Sequence, residues 1–186
     1  MRINVANSVP RSAANGPGDR YVVWVQGCPL SCPGCWNPDM WDERDRDVRD
    51  SDELIADIMA TGGIEGVTFT GGEPFMQAEA LAVVAEAVRF AGLSVFVFTG
   101  FEPIELDSPD HKRLLASSDV VVSGRYLEAR RTHSLLWRGS ENQQVRFLTS
   151  RYGLGDLSDA AEMEFHLGLD GALVVTGFPT EGMMIF

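Results

Sequence analysis

Four stretches of the chain are continuously apolar and rich in β-branched residues: Tyr21–Val25, Gly66–Thr70, Ser94–Phe98 and Asp119–Val122. Runs of this length and type predict strands buried on both faces. Each ends in a glycine-containing loop. Between them the spacing changes to helical. Leu54, Ile55, Ile58 and Met59 follow an N-cap and acidic first turn at Ser51-Asp52-Glu53, and Thr61-Gly62-Gly63 stops that helix. A second helix spans 77–91 through Ala80, Leu81, Val84, Ala87 and Val88, with Gly92 as its stop. A third occupies 104–116 and is capped or interrupted near Ser108-Pro109.

The recurring order of strand, loop and helix predicts right-handed βαβ units around a parallel sheet, an α/β protein. A closed eight-unit barrel takes about 250 residues, so 186 residues supply about six units and predict an open, partial (βα)6 barrel. Tyr21–Val25 reads as the first strand. The acidic run from Asp39 to Asp52 reads as a solvated loop and helix entry, and Asn15-Gly16-Pro17-Gly18-Asp19 as a turn whose amides face a ligand or simply connect. Beyond Arg125 the pattern weakens. Residues 134–143 read as a polar loop around Trp137, Gln144–Leu148 as a short strand, 159–167 as helix or strand, and Leu173–Gly177 as a last strand. The whole chain, 1–186, reads as one domain, with 151–186 a C-terminal extension placed to cover the open side of the barrel.

Charge narrows the partners. Twenty-seven acidic against 15 basic residues give a net charge of −12 with no basic block, which disfavours nucleic acid held through its phosphates. With neither a long apolar run nor a signal pattern at the N-terminus, the expectation is a soluble, cytoplasmic protein with no membrane partner.

The chemistry concentrates in one loop directly after the first strand. All three cysteines, Cys28, Cys32 and Cys35, lie within eight positions at a Cys-x3-Cys-x2-Cys spacing. Structural zinc sites close a tetrahedron with four ligands, usually in two separated pairs, and His111, His133 and His166 are all distant in sequence. An odd number of cysteines does not make a disulfide framework. Electron-transfer clusters use four cysteines, whereas three leave one iron of a four-iron cluster open to another ligand. At the end of the second strand, Gly71-Gly72-Glu73-Pro74 lets backbone approach a ligand closely and sets a carboxylate beside it. Ligands of parallel α/β folds gather at these strand ends.

With these segments in order, the sequence resembles the radical S-adenosylmethionine (SAM) superfamily, and more closely its glycyl-radical-enzyme activase branch, the activating proteins of anaerobic ribonucleotide reductase. The resemblance is carried by Asn15-Gly16-Pro17-Gly18, the cysteine loop with Trp36-Asn37 and Trp41, Gly71-Gly72-Glu73-Pro74, Thr99-Gly100, and Trp137-Arg138-Gly139-Ser140 with Asn142-Gln143. Two positions depart from it: Gly34 stands where the superfamily has an aromatic, and Thr132-His133 stand where the branch has Asp-Pro.

The resemblance implies that the fold is of the radical SAM type and that Cys28, Cys32 and Cys35 hold a [4Fe–4S] cluster. It further implies that Gly71, Gly72 and Glu73 line the methionine end of SAM, and that Trp36, Thr99, Arg138 and Asn142 contact or shape the cofactor site. Reductive cleavage of SAM then gives a 5′-deoxyadenosyl radical that abstracts hydrogen from a glycine of a partner glycyl radical enzyme. An electron donor such as flavodoxin or ferredoxin is implied. Two other readings stand beside this one: a stand-alone radical SAM enzyme that modifies a small molecule or peptide, and a cluster protein that only passes electrons.

Overall fold

The computed structural model describes residues 1–157, 163–167, 171 and 173–177. In chain order its regular elements are β1 (Arg2–Ser12), β2 (Arg20–Val25), β3 (Asp47–Asp50), α1 (Ser51–Ala60), β4 (Gly66–Gly71), α2 (Ala78–Phe90), β5 (Ser94–Phe98), α3 (Pro109–Ala116), β6 (Val120–Ser123), β7 (Gln144–Phe147), β8 (Met163–Leu167) and β9 (Leu173–Gly177).

The four apolar stretches are the four parallel strands. They lie side by side as β2-β4-β5-β6 within a seven-stranded sheet of order β3-β1-β2-β4-β5-β6-β7. Strand β1 runs antiparallel to β2 and β3, and β7 runs antiparallel to β6. Among the described residues this gives three βα crossovers rather than six units, because antiparallel strands occupy both edges. Two of those antiparallel strands depart from the sequence expectation. The segment before Tyr21 contains the long bulged strand β1, and the acidic run ends in β3, whose Asp50 caps α1 in a capping box with Glu53.

Side-chain alternation explains why the central strands read as continuous apolar runs. Tyr21, Val23, Val25, Val67, Phe69, Val95, Val97 and Val121 point to one face, where Leu54 and Ile58 of α1, Leu81, Val84, Ala85 and Val88 of α2, and Leu114 of α3 complete the main core. The opposite face is also covered. Val22 and Trp24 pack with Val9 and Met40, and Phe96, Val120 and Val122 pack around Trp137. Only a sheet buried on both faces needs apolar residues at every strand position.

On that second face the guanidinium of Arg20 is fully buried and, among the described residues, hydrogen-bonds to no carboxylate. It donates to the Thr68 and Ser94 hydroxyls and to the carbonyls of Pro17, Val67 and Ser94. Thr68 in turn donates to the carbonyl of Asn15 at 2.7 Å. These bonds fix the Asn15–Gly18 turn against the sheet. The residues after Phe147 return to the same face as a two-stranded hairpin, β8-β9. Of the helix or strand expected over 159–167, a strand is present over 163–167, and 159–162 lie outside the described residues. No helix of the described residues is long and apolar enough to cross a membrane.

Candidate active site

A cavity of about 400 Å³ opens on the face opposite the helices. Its floor consists of Trp24, Thr70, Phe98 and Val122, one residue from the C-terminal part of each parallel strand. The loops that follow those strands supply its walls: Cys28, Cys32, Cys35 and Trp36 after β2, Gly71, Gly72 and Glu73 at the end of β4, Thr99 and Gly100 after β5, and Tyr126, Gly139 and Gln143 beyond β6.

The cysteine loop is held at its entry by the residues that follow it. Gly27 N–H donates to the Met40 carbonyl and Cys28 N–H to the Trp41 carbonyl, both at 3.0 Å. Within the loop, Cys35 N–H donates to the Cys32 carbonyl at 3.1 Å, and Ser31 and Gly34 take positive φ. The three thiols are therefore presented by one turn, each half-buried. Burial pushes the Cys28 and Cys32 thiols up from their ordinary value. Among the described residues no three His, Cys, Asp or Glu side chains converge as they would on a single metal ion. Thiolates that each bind a different iron of a cluster have no need to converge.

Glu73 is completely buried and joins two of the loops. Its Oε1 accepts from Phe75 N–H at 3.0 Å and from the Thr99 hydroxyl at 2.7 Å, and its Oε2 accepts from Gly100 N–H at 2.8 Å. Burial pushes its carboxyl up to about 7, against the pull of those three donors. A carboxylate offers about four lone-pair sites, so Oε2 keeps capacity for one further donor.

Of the residues expected from sequence, Cys28, Cys32, Cys35, Trp36, Gly71, Gly72, Glu73 and Thr99 all line this one cavity. Arg138 and Asn142 do not. Their neighbours Gly139 and Gln143 line the cavity instead, in a segment that Trp137 enters with a left-handed backbone (φ 59°). Asn142 instead donates to the Arg125 carbonyl at 2.7 Å, and Gln143 ties Gly139 N–H to the Gly124 carbonyl. Both side chains brace the loop after β6. Sequence reasoning missed Tyr126, which no motif marks, and the contribution of β9, where Val175, Thr176 and Gly177 line the cavity.

The lining suits a polar ligand as well as a cluster. Among the described residues, Trp41 Nε1 and Tyr126 Oη belong to lining side chains and are buried without a hydrogen-bond partner. Such atoms are costly unless a ligand or water satisfies them.

The family model described as "4Fe-4S single cluster domain" matches residues 14–146, which hold the three cysteines. The anaerobic ribonucleoside-triphosphate reductase-activating protein of Salmonella typhimurium is 30% identical over 147 residues, covering 75% of this chain and 95% of that protein. Its counterpart from Vibrio cholerae is 31% identical over 155 residues, covering 79% and 99%. That from Enterobacteria phage T4 is 30% identical over 149 residues, covering 77% and 93%. Among solved structures, QueE from Escherichia coli is 20% identical and superposes with a TM-score of 0.46 over 54% of this chain and 53% of that one, too partial a likeness to bear on the fold. The chain belongs to the 4Fe-4S single cluster domain family, and within it to the anaerobic ribonucleoside-triphosphate reductase-activating proteins.

Proposed function

We propose that this protein is a radical SAM activase that installs a glycyl radical on an anaerobic ribonucleoside-triphosphate reductase. The observation that carries the reading is the meeting of Cys28, Cys32, Cys35, Glu73 and Thr99 in one cavity at the carboxyl ends of four parallel strands. When bound, a [4Fe–4S] cluster would supply the one electron that splits the C5′–S bond of SAM into methionine and a hydrogen-abstracting 5′-deoxyadenosyl radical.

The protein's own residues bind, orient and exclude water. Cys28, Cys32 and Cys35 would hold three irons. Glu73, with Gly71 and Gly72, would receive the SAM ammonium through the unused capacity of Oε2. Trp36 and Thr99 would complete the wall, with Trp41 Nε1 and Tyr126 Oη as added donors. Arg138 and Asn142 would act by shaping the loop after β6. The sheet would curl as an open partial barrel of three βα units, and the chain would act as a single domain whose extension, 151–186, covers the open side. A flavodoxin or ferredoxin in a reducing cytoplasm would supply the electron.

The test is anaerobic. Reconstituted protein is incubated with SAM, a strong reductant and the co-encoded reductase, and is expected to give 5′-deoxyadenosine together with a glycyl doublet in the electron paramagnetic resonance spectrum. 5′-Deoxyadenosine without a doublet would favour a stand-alone enzyme. Its complete absence would leave only electron transfer.

A second expectation follows from Glu73. An adjacent ammonium stabilises the carboxylate, so SAM binding is coupled to loss of the Glu73 proton. With a carboxyl at about 7, affinity should rise roughly tenfold from pH 6 to pH 8 and then level off. Glu73→Gln removes the titration while preserving the shape of the side chain. Calorimetric titration of SAM across pH should show the rise in the wild-type protein and a weaker, flatter response in the variant.

A further inference from the structure

The loop after β6 reaches the cysteine loop with two charged side chains. Gly34, between Cys32 and Cys35, leaves room for one of them: a Cβ at this position, where φ is +69°, would lie 2.7 Å from the carboxyl carbon and Oε1 of Glu128. The other is Arg131, whose Cζ stands 5.2 Å from the ring centroid of Trp36, the cavity-wall residue next to Cys35. Backbone bonds fix the segment that carries it. Arg131 forms a bridge with Ser140, Thr132 N–H donates to the Gly139 carbonyl at 3.1 Å, and Glu141 N–H donates to the Arg130 carbonyl at 2.9 Å. Of the arginines between β6 and Thr132, Arg125 pairs with Glu105 at 2.7 Å and Arg130 with Glu141 at 3.9 Å. Arg131 differs from both. Its Nε and Nη2 are buried and, among the described residues, make no hydrogen bond.

From this arrangement we propose that Arg131 poises the cluster for reduction: its guanidinium, fixed beside the cysteine loop by Trp36 and by the bridge to Ser140, stabilises the reduced state over the oxidised one. Burying a cation is costly unless an opposite charge compensates it, and stacking on an aromatic ring returns only part of that cost. The group that the three thiolates would hold supplies such a charge. A four-iron core with three thiolates is an anion, and reduction adds a further negative charge. Net charge around such a cluster is one of the terms that set its potential. The step assisted is the transfer of one electron from an external low-potential donor to the oxidised cluster, with no bond made or broken. Glu128, against Gly34, acts in the opposite sense, and more weakly because it is exposed to water and salt. The assignment rests on the cluster part of the reading above and is independent of which substrate the radical attacks.

The experiment is a redox titration of the reconstituted full-length protein, followed by electron paramagnetic resonance of the reduced cluster. Arg131→Met removes the charge and keeps a contact with the Trp36 ring. It should make the cluster roughly tenfold harder to reduce at a fixed applied potential, a shift of about 59 mV to more negative values for one electron. Arg131→Lys restores the charge and should titrate close to the wild-type protein. Arg130→Met removes the same charge from the adjacent exposed ion pair and should shift the equilibrium much less, while Glu128→Gln should shift it the other way. The melting temperature of the apoprotein separates this role from a merely structural one. Losing an unpaired buried cation should leave that temperature unchanged or raise it in Arg131→Met, whereas a structural role would lower it. A wild-type potential in Arg131→Met would overturn the assignment. So would equal shifts in Arg131→Met and Arg130→Met, which would mark a diffuse effect of net charge. Failure of the cluster reading looks different: the wild-type protein would take up no iron and sulfide, and the assignment would fall with it.

Discussion

Replacing Cys32 with alanine should abolish cluster binding and SAM cleavage together while leaving the fold intact. The loop that carries Cys32 is set by backbone contacts: Gly27 N–H to Met40, Cys28 N–H to Trp41, and Cys35 N–H to the Cys32 carbonyl, none of which uses the thiol. Cys32 is half-buried and belongs to none of the apolar clusters, so truncation costs the apoprotein little. The cluster loses a direct ligand. Removing an outer partner of a metal site already costs about 10–100-fold in affinity or activity, and loss of one thiolate of three should exceed that. Iron and sulfide per chain should fall towards zero and 5′-deoxyadenosine formation by more than about 100-fold, with the circular dichroism of the apoprotein unchanged. A variant that keeps a full cluster would remove Cys32 from the ligand set.

The parts of this site that were legible in the sequence are those whose chemistry is contiguous. The cysteine triplet and Gly71-Gly72-Glu73 each lie on a single loop, and the apolar runs before them announce strands because the sheet is covered on both faces. The antiparallel strands β1 and β3 were less visible. In β1, polar Asn4, Asn7 and Ser8 interrupt the apolar positions, and Asp47–Asp50 of β3 includes no apolar residue except Val48. Both segments are strands through backbone pairing with a neighbour, a property their side chains do not encode. Arg138 and Asn142 each stand one position from a residue that lines the cavity, Gly139 and Gln143, an offset of which composition gives no hint. The β8-β9 contribution depends on long-range bonds from Glu164 to Ser12 and Ala13 and from Asn15 to Thr176, contacts that no local pattern foretells.

The glycines before Glu73 lead to the second large effect. Sequence reasoning assigned Gly71 and Gly72 to the cofactor, and the structure shows a further demand on them. A Cβ on Gly72 would lie 2.4 Å from the Gly27 carbonyl oxygen, 2.9 Å from its carbon and 3.0 Å from the Met40 carbonyl oxygen. All three are backbone atoms and cannot swing aside. They belong to the entry of the cysteine loop, which is stitched to this turn by Gly72 N–H to Val25 and Glu73 N–H to Gly27, both at 2.8 Å. At Gly71, with φ at +100°, a Cβ would also meet the Trp24 and Val25 backbone at 2.7 Å. The glycines thus let the end of β4 touch the base of the cysteine loop, which is what brings Glu73 into the same cavity as the thiols.

Gly72→Ala must therefore push the two loops apart, at a cost of about 3 kcal/mol or more, among the larger effects of single substitutions. For a chain of this size that lowers the melting temperature by roughly 10 °C. Because the displaced backbone leads directly into Cys28, cluster loading and SAM affinity should fall together, whereas Glu73→Gln should weaken SAM binding and spare the cluster. Gly62 is the internal control, since a Cβ there meets nothing within 4 Å. Gly62→Ala should be neutral or stabilise by about 0.5 kcal/mol through the unfolded chain. If Gly72→Ala melted and loaded its cluster as Gly62→Ala does, close backbone approach would not be what these glycines provide.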